Sequence, residues 1–101
     1  MNLSYTFTTK LWVYPGEAAW HFITLPVQDA SDIKSFCSHI KRGFGSIRVT
    51  ATIGSSTWQT SIFPDAKSKS YLLPVKKEVR LKNSLVENSE VIATVTILEN
   101  K

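Results

Sequence analysis

Alternation of polar and apolar residues runs through most of this chain, and its interruptions mark the turns and helices. Leu3, Tyr5, Phe7, Leu11 and Val13 alternate with Ser4, Thr6, Thr8 and Lys10. That period of two predicts one long strand, with Trp12 and Tyr14 on its opposite face near the end. Pro15-Gly16 marks a turn. Ala19 to Leu25 reads as a second strand, with Trp20 and Phe22 on one face and Ile23 and Leu25 on the other. Apolar residues on both faces predict cover on both sides.

The period then changes. After Pro26, which has no N–H for a ladder, Gln28 to Gly43 reads as a helix. Asp29 or Ser31 is its expected N-cap, and Ile33, Phe36, Cys37 and Ile40 form one apolar stripe at i, i+3, i+4 and i+7. Lys41 and Arg42 suit the C-terminal end of its dipole, and Gly43 ends it.

Alternation returns in the central hairpin. Ile47, Val49, Ala51 and Ile53 interleave with Arg48, Thr50 and Thr52, and Gly54-Ser55 suits a type II′ turn. An even-length loop puts Trp58, Thr60 and Ile62 on the face of Ile47 to Ile53, whereas an odd loop would put Thr57, Gln59 and Ser61 there. The apolar pattern selects the even register. Pro64 to Ser70 reads as a polar loop and Tyr71 to Leu73 as a short strand. Pro74 is expected as the first residue of a second helix, with Val75 and Val79 one turn apart. Asn88-Ser89 makes a turn into a last strand, in which Val91, Ala93, Val95 and Ile97 alternate with Thr94 and Thr96.

The pattern also repeats. Leu25-Pro26-Val27 recurs as Leu73-Pro74-Val75, and Val49-Thr50-Ala51-Thr52-Ile53 recurs as Ala93-Thr94-Val95-Thr96-Ile97. The second offset is shorter by about one helical turn, so the second helix is expected to be the shorter one. One domain over residues 1–101 follows, in two halves of about residues 1–53 and 57–98, each reading strand, strand, helix, strand. Two such halves closing about a pseudo-twofold axis would cover most free sheet edges. They would also let the chain fold as a monomer, alone or within a larger assembly.

Two resemblances rest on these residues. The second half resembles the AbrB and MazE type of swapped-hairpin module at Leu73, Pro74, Arg80, Leu85 and Val91, with Asn88-Ser89 standing where that family has Gly-Asp. Nearly the whole chain resembles a bacterial domain-of-unknown-function family, numbered nineteen-oh-five. That likeness is carried by Trp20 to Pro26, Gly43 to Val49, Trp58 through Ser61 to Pro64, and Tyr71 to Arg80. The resemblance implies a mainly β fold with two helices, an AbrB-like double-split β-barrel with both halves in one chain. It implies no activity.

Charge and composition add little to this picture. The net charge of +4 leans toward anionic partners. A single cysteine, Cys37, allows no internal disulfide and fits a reducing compartment. The N-terminal residues do not read as a signal peptide, and no apolar run approaches a membrane span. A cytoplasmic protein without membrane contact is expected.

Catalytic and metal chemistry find no pattern. His21, Cys37 and His39 are the soft ligands, and Cys37 and His39, two apart on a helix, point to different faces. Cys37 lies in an apolar stripe and reads as a packed thiol. Ser61 has no nucleophile elbow, the carboxylates are scattered, and Gly43-Phe44-Gly45 is too short for a phosphate cradle. The chain is expected to be no enzyme and to need no metal or cofactor.

Two constellations remain as binding sites. Lys67, Lys69, Lys76, Lys77, Arg80 and Lys82 lie within one short segment against Glu78, with Phe63 and Tyr71 nearby, and point to nucleic acid or another polyanion. The plainer reading is a solvated basic face, with Arg80 structural. Arg48, Thr50, Thr52, Gln59 and Ser61 share one face of the hairpin and would suit a small anionic ligand if that face lines a cleft. Its plainer reading is a solvated outer face. The leading expectation is a binding module for nucleic acid or another polyanion through Lys67 to Lys82. The Arg48 face comes second, and a protein-interaction or antitoxin-like role third.

Overall fold

Seven strands and two helices make up residues 3–16, 19–37 and 45–98, which the computed structural model describes. The strands are β1 (Ser4–Lys10), β2 (Trp12–Val13), β3 (His21–Thr24), β4 (Ile47–Ile53), β5 (Ser56–Asp65), β6 (Ser70–Pro74) and β7 (Glu90–Ile97). The helices are α1 (Val27–Phe36) and α2 (Lys77–Lys82). The strands pair in the order β1-β7-β4-β5-β6-β3-β2, antiparallel throughout. Since β1 and β2 are consecutive pieces of one bent strand, the sheet returns on itself as a nearly closed barrel.

The central hairpin has the expected register. Ile47 lies opposite Ile62, Val49 opposite Thr60 and Ala51 opposite Trp58, across a turn in which Gly54 takes φ of 57°. Val49, Ala51, Ile53 and Ile62 are buried and meet Val91, Ala93, Val95 and Ile97 of β7 in one core. The turn is also a joint. A Cβ on Gly54 would lie 2.0 Å from Asn83 Oδ1. Asn83 Oδ1 accepts from the Ser55 N–H, and its Nδ2 donates to Ser56 Oγ and to the Val79 carbonyl, so the end of α2 is tied to the hairpin.

Several expectations need correction. The first strand is not continuous. Leu11 leaves the ladder, donating its N–H to Ser89 O and accepting at its carbonyl from the Asn88 N–H. Its side chain is fully buried at the corner where β1 passes to β2. The second strand is covered on one face only: Ile23 and Leu25 are buried, while Trp20 is 55% exposed. Neither Asp29 nor Ser31 caps α1; Pro26 is the N-cap, and its carbonyl takes the first helical bond, from the Ala30 N–H. Asp29 therefore sits in the first turn, where the dipole favours a carboxylate.

The inward stripe of α1 is Ala30, Ile33 and Cys37, while Phe36 is 38% exposed. His39, Ile40, Lys41, Arg42 and Gly43 lie outside the described residues. The loop expected from Pro64 to Ser70 is shorter: β5 runs to Asp65, β6 starts at Ser70, and Ala66 to Lys69 form the turn. Pro74 does not open the second helix. It ends β6 opposite Phe22, and α2 begins at Lys77 with Lys76 as its N-cap. The ladder survives because Val75, one residue on, donates its N–H to His21 O. Pro26 thus abuts its helix directly, whereas Val75 and Lys76 separate Pro74 from its own.

Candidate functional site

The basic segment is split by the strand it contains. Lys67 and Lys69 stand exposed on the turn before β6, with Lys69 at φ 58°. Lys76, Lys77, Arg80 and Lys82 stand beyond its far end, on or beside α2. At the rise of an extended chain, β6 and its flanks hold the two groups roughly 20 Å apart. Lys69 lines a groove of about 710 Å³ against α1, with Lys34 and Tyr71.

The cations around α2 meet two tryptophans. Trp20, His21, Trp58, Gln59, Lys76 and Arg80 line one cleft of about 350 Å³. The pairing order brings them together: β6 lies between β3, which follows Trp20, and β5, which carries Trp58 and Gln59. Lys76 Nζ sits 6.0 Å from the centre of the Trp58 ring, within reach of a cation–π contact. It also lies 3.5 Å from Glu78, an exposed pair of little energetic weight. Lys76 and Trp58 line a second, adjoining cleft of about 290 Å³, with Lys82.

Arg80 is partly committed to the fold. Its Nε donates to the Val75 carbonyl at 3.1 Å, pinning the start of α2. His21 Nδ1 lies 2.8 Å from Ala19 O, so the proton belongs on Nδ1. His21 Nε2 then accepts from Arg80 Nη1 at 3.4 Å. A guanidinium has five N–H donors, so these two bonds leave others for the cleft. Arg80 is both a brace and part of the wall.

The second constellation lies on the outer face of the four strands β1-β7-β4-β5. Arg48 is paired with Ser61, Thr50 with Gln59 and Thr52 with Thr57. Arg48 Nη1 donates to Ser61 Oγ at 3.2 Å, and the Thr52 and Thr57 hydroxyls are 3.1 Å apart. Of the five residues expected there, Gln59 also reaches the tryptophan cleft.

In sequence His21 stands only as one of three scattered soft ligands, and Trp20 and Trp58 as strand residues. Their convergence depends on strand order, and no local spacing carries it. Elsewhere, Tyr5 donates to Asp32 and joins β1 to α1; burial first, then this hydrogen bond, pushes its phenol up to about 12. Burial also raises the pKa of Tyr71, with Cys37 adding to the effect. Among the described residues no three His, Cys, Asp or Glu group to hold a metal, and no helix is long and apolar enough to cross a membrane.

Fold and site together define a small antiparallel barrel-like domain with a cationic, tryptophan-walled cleft. The sequence profile of the family described as Domain of unknown function (DUF1905) matches residues 7–96, and the chain belongs to that family. No curated protein matches it in sequence.

Proposed function

We propose that this domain is a non-enzymatic, cytoplasmic binding module whose ligand is a polyanion, nucleic acid foremost, seated in the cleft between Trp20 and Trp58. The observation that carries the reading is the meeting of Lys76 and Arg80 with two indole rings in one cleft of about 350 Å³. Cations neutralise phosphates and release their counterions, and aromatic faces accept bases. Lys82, beside Lys76 in the adjoining cleft, extends the positive edge. Lys67 and Lys69, at the other end of β6, contribute only to the general field.

The test is titration of labelled oligonucleotides at two salt concentrations. Two or three phosphate contacts give a log–log salt slope of roughly −2, with weak binding at low salt that fades by physiological ionic strength. Lys76→Glu with Lys82→Glu abolishes binding and leaves the melting temperature nearly unchanged, while Lys67→Glu has a small effect. Absence of binding at low salt, or indifference to the double substitution, refutes the reading. A second reading places a small anion on the Arg48 face, where Arg48 already shares a hydrogen bond with Ser61. It predicts that Arg48→Ala, and not the Lys76 pair, removes binding.

We further propose that the domain is a bacterial AbrB-like double-split barrel built from two repeated halves. Its support is the register. Thr24 lies opposite Leu72 and Ala51 opposite Val95, and these pairs have the two offsets of the sequence repeat. A twofold axis through both pairs would carry each half onto the other. The strand that bends at Leu11 between β7 and β3 then matches β5, which passes from β4 to β6 after Ile62. An antitoxin-like or protein-interaction role is the third reading, resting on that fold likeness alone.

A further inference from the structure

Beyond the cleft, the outer face of β2 and β3 is aromatic. Trp12 is paired with Phe22 across the two strands, their ring centres 5.3 Å apart. Tyr14 stands edge-on to Phe22 at 6.4 Å, and Trp20 stacks on Phe22 at 6.1 Å with the planes 18° apart. These rings are held in place. Trp12 Nε1 donates to Thr24 Oγ1 at 2.9 Å, and the Tyr14 N–H donates to Trp20 O at 2.7 Å. Yet Trp20 is 55% and Tyr14 54% exposed. A contiguous aromatic surface of this kind marks a contact site.

Trp20 belongs to both regions: it lines the cleft with Lys76 and Arg80 and stacks on the aromatic face. Positive charge therefore borders the rings along one continuous strip. Resting on the polyanion reading of the cleft, we infer that this strip is a stacking platform for unpaired bases, so that the nucleic acid it takes is single-stranded. In a duplex each base face is covered by its neighbours, and a protein surface meets phosphates, sugars and groove edges but no stacking face. A single strand offers both, phosphates to Lys76 and base faces to Trp20 and the rings beyond it. The adjoining cations favour this occupant over an apolar protein partner, which would gain nothing from Lys76 and Arg80.

The experiment titrates the full chain at about 50 mM salt with labelled oligothymidylate and with its duplex on oligoadenylate. Binding is followed by anisotropy and by quenching of tryptophan fluorescence. The single strand is expected to bind about 10-fold more tightly than the duplex. Trp20→Ala should lower single-strand affinity about 10-fold and duplex affinity far less, and Tyr14→Ala should lower single-strand affinity by a smaller factor. Lys76→Glu should weaken both. Each variant is checked by thermal melting, and the exposure of Trp20 and Tyr14 predicts folded proteins. Equal binding of both forms, unmoved by Trp20→Ala and Tyr14→Ala, overturns the platform and leaves the polyanion reading standing. No binding of either form at low salt overturns both.

Discussion

Two outer faces of one barrel differ in what they leave open. On β1, β7, β4 and β5 the outward residues are mostly hydroxyls that pair with one another. Ser4 meets Thr96 at 2.7 Å, Thr6 meets Thr94 at 2.8 Å and Thr52 meets Thr57 at 3.1 Å. On β2 and β3 the outward residues are rings, and cations border them. Cross-strand hydroxyl pairs strengthen a sheet and satisfy themselves. Exposed rings satisfy nothing until something covers them. On the proposed reading the ring face recognises and the hydroxyl face stabilises, and the Arg48 constellation on the latter is the alternative site.

The largest expected effect breaks both faces together. Leu11 fills the corner between β1 and β2, and Leu11→Ala should cost about 3 kcal/mol, seen as a lower denaturant midpoint. It should also disorder the Trp12 platform. Gly54→Ala comes next, at about 2 kcal/mol, because φ of 57° is unfavourable for alanine and the new Cβ would displace Asn83 from its bonds. That loss strikes the hairpin and loosens α2, so binding should weaken with stability.

A pH effect sharpens the comparison from the stable side. The folded pKa of Tyr5, about 12, lies above its ordinary 10. The raised value means that its contribution is complete below pH 10 and is lost as pH rises from there through about 12. Tyr5→Phe should flatten the stability profile across that window, as measured by urea unfolding at several pH values. The smallest effect belongs to the hydroxyl face itself. Thr52→Val should change stability by less than about 0.5 kcal/mol and leave oligonucleotide affinity unmoved.

Much of the fold was legible because the alternating pattern leaves little freedom. A one-residue slip would have turned Trp58 and Ile62 outward, so the hairpin register could be read directly. The bend at Leu11 was hidden because no residue is inserted there, and alternation runs straight through the corner. Pro74 misled because a proline at a strand end and one at a helix start look alike in sequence; only the Phe22 pairing separates them. The cations illustrate the converse. Lys69 and Lys76 are close in sequence and held apart by β6, while Trp20 and Trp58 are distant in sequence and share a wall.

The central claim is that recognition occupies the ring-and-cation side, and the most direct measurement is amide and indole chemical-shift mapping during titration with oligothymidylate at low salt. Shifts should cluster at Trp20, His21, Phe22, Trp58 and Lys76, while Thr50, Thr52, Thr94 and Thr96 stay still. Shifts centred on Arg48, Thr50 and Ser61, or none at saturating oligonucleotide, would contradict the account.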